Sequence, residues 1–446
     1  MASTITDRKR IVVCLSILLC CHLCISDSYT PYNQMSAQCP VSSPCFCEYT
    51  SYHRLGRAKR IVCGQLGSQF PVFMASDDII DCVNLMYTGI IKLPPDAFAP
   101  LRVNRIDLQG NNFGTRINER AFTYVARHLV GLNLAWSNIT SLPAKVFRGM
   151  LHLRNLSLAE NKLTTVSHLL FQNLRSLEIL SVAGNHIREF PATIFRYQTN
   201  LHSLDLGYGK LERVPNHLFT GMWNLRRLDL RGNMINHLSP GVFEDLWSLE
   251  TLSLSHNPIH VIKAGVFRGL NSLERLEIKE SSLGALESGI FADTVGLSIL
   301  DLGDNRLTEI QDGVLRIPSL EWLALDGNGL KVLPRDVAMM SSLVYLDISY
   351  NNIKSLDRCI FERLRSLEYF NFRVNPFHCD CYIYWLRTLQ VRLLHNWDNH
   401  RIVPFVSAEC ATPWERKEID VARWVDPVCL RDGSHKYKCW YEYMKN

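Results

Sequence analysis

Cysteine is the residue whose number and spacing give this sequence its clearest chemistry. Fifteen cysteines are present, and two groups of four lie near the ends of the chain. Small segments that lack a core of their own are held together by disulfides in oxidising compartments. We therefore expect disulfides within the two groups, which are Cys39, Cys45, Cys47 and Cys63 at the front and Cys379, Cys381, Cys410 and Cys429 at the rear.

A metal site is the competing interpretation of the rear group. His378, Cys379 and Cys381 stand close together and carry side chains that bind Zn²⁺. We prefer disulfides there, and the sequence predicts no metal and no other cofactor.

Motifs of enzymatic catalysis are absent from the sequence. It contains no H-E-x-x-H, no phosphate-binding glycine loop and no G-x-S-x-G. Its histidines are scattered, without a nucleophile at a recognisable spacing. Some acidic residues recur at a fixed interval instead of forming a positioned acid–base pair, namely Asp205, Asp229 and Asp301. We therefore expect that the protein is not an enzyme.

One leucine pattern fills the middle of the chain, and the structure that it forms must position the candidate functional residues. Thirteen copies of L-x-x-L-x-L-x-x-N-x-L occur at intervals of 23 to 26 residues, and one of them includes Leu153, Leu156, Leu158 and Asn161. A fixed period in this range indicates a solenoid built by stacking one unit. Such a fold presents a long surface without a built-in active-site cleft.

Each position of the repeat predicts a structural role. The x-L-x-L segment predicts a short strand with its leucines inward, and stacked copies would form a parallel sheet. At the ninth position an inward amide would bind backbone groups of the turns on either side. That position is Asn111, Asn161, Asn185, Asn233, Asn257, Asn305, Asn328, Asn351 or Asn375 in nine copies, and Thr88, Ser137, Gly209 or Ser281 in the other four.

A second core position follows ten residues after the ninth position. A buried ring there contributes roughly 1.5–3 kcal/mol, and the rings would form a stripe along the back of the coils. Leu315 and Ala338 replace the ring in two copies, and Phe122 stands one place late in a longer coil. The ring is Phe98, Phe147, Phe171, Phe195, Phe219, Phe243, Phe267, Phe291 or Phe361 in nine other copies.

The N-terminus has the pattern of a secretory signal. A basic start at residues 8–10 precedes a short apolar run at residues 11–25, and Ser26 is a plausible cleavage position. The run is shorter than the ~20 residues that a membrane span needs, and no other segment predicts a span. Removal of residues 1–26 would lower the formal net charge from +5 to +3. That charge is too small to imply a nucleic-acid partner.

These motifs give the chain a resemblance to extracellular leucine-rich-repeat proteins with cysteine-rich N-terminal and C-terminal flanking modules. The front reads C-P-x4-C-x-C-x15-C, and the rear reads N-P-F-H-C-D-C-x3-W-L from Asn375, followed by Cys410, Pro413 and Cys429. The resemblance covers about residues 39–430. It implies an α/β solenoid, a right-handed horseshoe with a parallel concave sheet and disulfide-stapled caps at both ends.

The resemblance also implies disulfide pairs and an order of segments. The pairs are Cys39–Cys47, Cys45–Cys63, Cys379–Cys410 and Cys381–Cys429. The segments are a signal peptide (1–26), a linker (27–38), an N-terminal cap (39–75), about thirteen repeats (76–375), a C-terminal cap (376–430) and a tail (431–446).

Three cysteines lie outside this framework. Cys82 is expected to face outward from the first strand, and Cys359 to lie on the back of the twelfth coil. Eleven strand spacings of about 4.8 Å would separate them by roughly 50 Å, too far for a disulfide. We expect an additional Cys359–Cys439 bond, which would leave Cys82 free or bonded to another molecule, as in a homodimer.

Two sets of outward residues are candidates for ligand binding on the concave face. Trp322, Tyr345 and Tyr369 occupy one column in three consecutive repeats, as interface anchors do, although aromatic residues also suit strands and stack on each other. The second set is basic and consists of Arg227, Arg231, Arg275 and Lys279. Asp229 and Glu277 lie between these residues in the sequence, so charge pairs across the strands are the alternative to a ligand site.

Two short patterns predict modification. Asn138-Ile-Thr and Asn155-Leu-Ser match the N-glycan acceptor motif, and a glycan on Asn155 would block docking on the strand of the fourth repeat. Residues 57–60, Arg-Ala-Lys-Arg, resemble a processing-protease site, but we interpret them as a solvated basic loop.

The family resemblance implies recognition of protein ligands. Our first hypothesis is a secreted protein-binding module for adhesion or receptor–ligand signalling in the extracellular space or matrix. The alternatives are a soluble innate-immune recognition factor and a non-catalytic subunit that stabilises a secreted enzyme. The expected partner is an extracellular or cell-surface protein, with no nucleic acid.

Overall fold

The computed structural model of the chain describes residues 39–49, 59–76, 78–378, 385–386, 389 and 410–412. The chain forms two compact units, which we name unit 1 (residues 1–234 and 245–249) and unit 2 (residues 235–244 and 250–446). Both are built from the same coil, which has a short strand, a turn at the ninth repeat position and a return segment made mostly of turns.

The strands of unit 1 follow one another in chain order. The first two pair antiparallel, and from the second strand onward each pairs parallel with the next. They are β1 (Cys45–Tyr49), β2 (Lys59–Cys63), β3 (Ile79–Asn84), β4 (Arg102–Asp107), β5 (Gly131–Asn133), β6 (Asn155–Ser157), β7 (Ile179–Ser181), β8 (Ser203–Asp205) and β9 (Arg227–Asp229).

A disulfide-bonded cap begins unit 1. The antiparallel pair β1–β2 sets Cys45 opposite Cys63, and these two cysteines are bonded, as are Cys39 and Cys47. Both predicted front pairings are therefore confirmed. Beyond the hairpin, the ring of Phe73 stacks on Phe98 of the first coil at 6.0 Å between centroids. The cap thus covers the first coil's apolar interior, which a solenoid would otherwise expose at its end.

Unit 2 continues the same architecture. Six of its strands pair parallel in series, and two short pairs lie outside that sheet. The series is β10 (Thr251–Ser253), β12 (Arg275–Glu277), β14 (Ile299–Asp301), β15 (Trp322–Ala324), β16 (Tyr345–Asp347) and β17 (Tyr369–Asn371). The short pairs are β11 (Val261–Ile262) with β13 (Ala285–Leu286), and β18 (Phe377–His378) with β19 (Cys410–Thr412).

Two return segments of unit 2 are short helices. A 3₁₀ helix spans Arg335–Met339, and α1 spans Arg358–Arg363. The carboxylate of Asp357 caps α1 by accepting a hydrogen bond from the backbone N–H of Cys359 at 2.9 Å.

Leucines and phenylalanines fill the interior of the coils as the repeat predicts. The strand leucines are almost fully buried, for example Leu156 and Leu276. Rings of successive coils lie nearly parallel, with 5.9 Å between the centroids of Phe171 and Phe195 and 6.2 Å between those of Phe267 and Phe291. Phe122 joins this stripe in spite of its shifted position, because it stacks on Phe98 at 5.8 Å.

Where the ninth repeat position is asparagine, its side chain joins the coil to the preceding one, as at Asn161. The Asn161 amide donates to the carbonyl oxygens of Leu134 in the preceding coil and of Leu158 in its own coil, at 2.9 and 3.0 Å. Its Oδ1 accepts from the backbone N–H groups of Ser137 and Ile139, at 3.1 and 2.9 Å. Ser281 makes fewer such bonds, since its hydroxyl reaches only carbonyl oxygens. The asparagine ladder therefore satisfies backbone groups that the strands leave unpaired.

The residue just before the ninth position has a left-handed backbone in all thirteen coils. Only four of these residues are glycines, although the conformation favours glycine. At Gly232 a second constraint applies, because an added Cβ would lie 2.7 Å from the ring of Tyr208, the equivalent residue of the preceding coil. Tyr208 is 59% exposed, so its ring covers the glycine of the next coil from the solvent side.

Replacing Gly232 with alanine is therefore expected to lower the free energy of unfolding by about 2–3 kcal/mol, from left-handed strain plus the overlap with Tyr208. Gly114 is the matched control, since its φ is also positive and nothing lies within 4 Å of its Cβ position. Gly114→Ala should cost only about 1 kcal/mol. Urea unfolding followed by circular dichroism measures both. Equal losses would mean that the Tyr208 contact has no role.

Candidate functional site

Three aromatic side chains form a stack on the outward side of the unit 2 strands. Trp322 is the cross-strand neighbour of Tyr345, and Tyr345 of Tyr369. The ring centroids are 3.3 and 4.4 Å apart, and the ring planes differ by 5° and 3°. All three side chains are half-buried. Because their flat faces cover one another, the stack presents mainly ring edges and hydroxyl groups.

Asp347 anchors this stack from the neighbouring column of the sheet. The Tyr345 hydroxyl and the Asn371 amide donate to its Oδ2, at 3.2 and 2.9 Å. Ser349 donates its N–H and its hydroxyl to Oδ1. Burial, followed by the charge of Asp347, raises the pKa of Tyr345 and that of Tyr369. Both tyrosines therefore keep their protons at physiological pH and act as neutral hydrogen-bonding groups.

The two arginines that the sequence singled out in unit 1 have different surroundings. Arg231 lies against Asp229, with its Nε 2.6 Å from Oδ2, and its guanidinium lies 6.0 Å from the ring centre of Tyr208. Arg227 is exposed on β9. Arg231 is thus held by its own strand, whereas Arg227 extends toward solvent.

The two basic candidates of unit 2 are also engaged by carboxylates. Arg275 lies 3.1 Å from Glu277, and Lys279 bridges Asp304 at 2.9 Å and Asp326 at 3.7 Å. Burial opposes the charge on Lys279, but the hydrogen bond to Asp304 and the charge of Asp326 outweigh it and raise the pKa of Lys279. Its ammonium group consequently links its own coil to the next two coils.

The family follows from the repeat itself. The sequence profile described as Leucine rich repeat matches residues 127–187, 199–259, 248–307 and 318–377, which together make up just over half of the chain. The chain belongs to the leucine-rich-repeat family. Members of this family are typically non-catalytic binding modules.

Relatives of this leucine-rich-repeat protein match over a short stretch. The leucine-rich repeat and fibronectin type-III domain-containing protein 4 of Rattus norvegicus is 36% identical to it over 85 residues, and so is that of Mus musculus. The matched stretch is 17% of this chain and 13% of either relative.

Solved structures resemble the chain over most of its length. A chain of the Drosophila Toll–Spatzle complex has 25% identity and a TM-score of 0.64, over 78% of this chain and 48% of that one. A chain of the mouse RP105/MD-1 complex has 19% identity and a TM-score of 0.59, over 78% and 54%. A chain of the octameric Latrophilin 3, Unc5D and FLRT2 complex has 21% identity and a TM-score of 0.56, over 77% and 94%.

The chain is accordingly a leucine-rich-repeat scaffold that is similar in fold to chains of these complexes. Its disulfide-bonded N-terminal cap indicates an oxidising compartment, such as the extracellular space or the cell surface. Within the described part of the chain, no helix has the length and apolarity of a membrane span. The described residues also contain no group of three or more histidine, cysteine, aspartate or glutamate side chains that could hold a metal ion.

The remaining predicted cysteines fall partly outside the described residues. Cys82 is buried on the outward column of β3 and is disulfide-bonded, so it is not the free thiol that the sequence analysis allowed. Cys359 is disulfide-bonded as well. Both predicted rear pairings, the Cys359–Cys439 prediction and the alternative metal site each include residues that lie outside the described part of the chain.

The two glycan acceptors occupy different local structures. Asn138 has a left-handed backbone and is half-buried, and its amide donates to the Oδ1 of Asn112 at 2.7 Å. Asn155 is half-buried on β6, in the outward column between Gly131 and Ile179. Glycosylation of either residue stays a prediction.

Sequence reasoning overlooked one buried carboxyl group. Asp107 on β4 is fully buried, its Oδ1 accepts from the N–H of Gln109 at 3.1 Å, and its Oδ2 has no hydrogen-bond partner. Burial raises its pKa to about 6, against lowering contributions from Gln109, Asn133 and Arg60. The available signal was its position, because Asp107 stands in the same outward column as the noted Asp205 and Asp229.

Proposed function

We propose that this protein is a secreted recognition module that binds an extracellular or cell-surface protein through one surface of unit 2. This surface, the strand face of unit 2, is the outward side of β10, β12, β14, β15, β16 and β17. The aromatic stack of Trp322, Tyr345 and Tyr369 is the observation that carries the proposal. Large aromatic side chains supply most of the binding energy at protein interfaces, because they bury a large area at a small entropic cost.

Two further features support this function. Tyr345 is held in place before any partner arrives, since its hydroxyl donates to Asp347 and its ring stacks between those of Trp322 and Tyr369. Preorganised anchors lose little conformational freedom on binding. In addition, the Toll–Spatzle complex, one chain of which has 25% identity to this protein, is a complex between proteins.

Removal of the stack is the decisive experiment. Partners of the secreted full-length chain would be captured from its native fluid and then measured one by one by surface plasmon resonance. We expect the double variant Trp322→Ala/Tyr345→Ala to weaken partner binding at least 100-fold, as the loss of two interface anchors does.

Trp247→Ala is the matched control, because Trp247 is 57% exposed on the return segment and is not on the strand face. It should leave the affinity unchanged, and both variants should keep the circular dichroism spectrum of the native protein at the temperature of the binding measurement. If the double variant bound as tightly as the native chain, or if Trp247→Ala alone abolished binding, the proposed face would be wrong.

A second candidate is a soluble immune recognition factor. The similarity to a chain of the Toll–Spatzle complex, described as a hub in Drosophila development and innate immunity, favours it. This candidate would be favoured if the protein bound microbial polymers and if no host protein displaced them.

A further inference from the structure

Charge is distributed unevenly over the strand faces of the two units. Within three residues of the six strands in the unit 2 series there are ten carboxylates and three basic side chains. The same count around β4–β9 of unit 1 gives five carboxylates and six basic side chains. The unit 2 carboxylates are Glu250, Glu274, Glu277, Glu280, Asp301, Asp304, Glu321, Asp326, Asp347 and Glu368.

The ten carboxylates exceed the three basic side chains of this face by seven charges. Arg275 is engaged by Glu277, and Lys279 by Asp304 and Asp326. Three basic side chains cannot neutralise ten carboxylates, while the chain as a whole has a formal charge of +5. The surplus is therefore a local property of this face and not a consequence of overall composition.

The acidic face also carries an electrostatic cost in the unbound protein. Burial raises the pKa of Asp326, and the neighbouring charges of Asp347 and Asp301 raise it further, in spite of Lys279. A positively charged partner would relieve this repulsion.

An unsatisfied polar group on the same face points to a ligand independently of the charge. Ser253 on β10 is 3% exposed, and its hydroxyl has no hydrogen-bond partner. It lies in the outward column, directly opposite Glu277 of β12. A buried hydroxyl without a partner costs free energy, so this position beside Glu277 is not fully satisfied in the unbound protein.

We propose that the strand face of unit 2 docks an arginine- and lysine-rich segment of a protein partner. This inference rests on the proposed function and specifies the chemistry of the partner. Guanidinium and ammonium groups would pair with the rows of carboxylates, and their aliphatic stems would pack against the ring edges of Trp322, Tyr345 and Tyr369. The carboxylates are spread at repeat spacing, which fits an extended polycation and not a single divalent ion that needs converging ligands.

The test uses the full secreted chain and two synthetic peptides, a ten-residue oligo-arginine and a ten-residue oligo-glutamate. We expect oligo-arginine to bind and oligo-glutamate not to bind at 50 mM salt. The affinity for oligo-arginine should fall at least tenfold between 50 and 300 mM salt, because the exposed charges become screened.

Two neutralising double variants locate the binding. Glu274→Gln/Glu321→Gln removes two exposed charges from the strand face, and Glu309→Gln/Asp312→Asn removes two exposed charges of unit 2 away from its strands. The first should weaken oligo-arginine binding at least fivefold, and the second less than twofold. Equal losses in the two variants, or equal binding of the two peptides, would overturn the proposal.

The same samples also show whether a second copy of the chain or a separate partner occupies the strand face. If sedimentation showed salt-sensitive self-association that Glu274→Gln/Glu321→Gln abolished, the occupant would be a second copy of the chain, and the proposal of a separate partner would be wrong. If the captured natural partner lost affinity for Trp322→Ala/Tyr345→Ala but not for Glu274→Gln/Glu321→Gln, the proposed function would stand and the basic-segment inference would fail.

Discussion

Replacing Asn161 with alanine is expected to lower the free energy of unfolding by about 4 kcal/mol, because several buried backbone groups lose their partner at once. The amide of Asn161 donates to Leu134 and Leu158, and its oxygen accepts from Ser137 and Ile139. No water replaces these bonds easily, since Asn161 is only 3% exposed. Chemical unfolding with the disulfides intact measures the loss.

Ser281→Ala is the matched control at the same repeat position. The Ser281 hydroxyl only donates to carbonyl oxygens at 3.1 and 3.3 Å, so its loss should cost about 1 kcal/mol. Hydrogen exchange supplies a local readout, because the amide protons of Ser137 and Ile139 should lose protection in Asn161→Ala. Unchanged protection of both would show that Asn161 does not join its coil to the preceding one.

Replacing Asp107 with asparagine is expected to stabilise the protein by about 3 kcal/mol at pH 8. Burial raises the pKa of Asp107 from 3.8 to about 6, and each pKa unit corresponds to about 1.4 kcal/mol. Because the pKa is higher in the folded state, the native carboxyl group stabilises the fold below pH 4, and this stability is lost as pH rises through about 6. Asparagine removes the buried charge and keeps an acceptor for the N–H of Gln109.

The pH dependence provides the control for this prediction. The difference in unfolding free energy between Asp107→Asn and the native chain should be largest at pH 8 and should vanish near pH 4. Asp107→Ala should gain less, because it leaves the Gln109 N–H without its acceptor. An equal effect of Asp107→Asn at pH 4 and pH 8 would mean that burial does not raise the pKa of Asp107 in the folded protein.

The repeat made much of the fold predictable. The buried leucines, the asparagine ladder and the phenylalanine stripe follow from a period of about 24 residues, because every coil recreates the same local environment. The front disulfides were also predicted, by the resemblance of the spacing at Cys39, Cys45, Cys47 and Cys63 to that of a flanking module.

The columns of outward residues were predictable, but their interactions were not. Period-2 alternation already put Trp322, Tyr345 and Tyr369 in one column, whereas the stacking of their rings depends on rotamers and on the position of Asp347. The left-handed residue before each asparagine was missed, because its sequence signal is weak when tyrosine, tryptophan or glutamate replaces glycine.

The sequence by itself determined a leucine-rich-repeat solenoid with a disulfide-bonded N-terminal cap, since those features depend on residue type and spacing along the chain. Only the tertiary structure decided which charges are buried or paired, as for Asp107 and for Lys279 with Asp304 and Asp326. The physical reason is that pKa, pairing and stacking depend on side chains that belong to different coils and lie far apart along the chain, such as Lys279 and Asp326. Outward residues vary without affecting the coil, so the period that fixes the fold leaves the chemistry of its face unspecified.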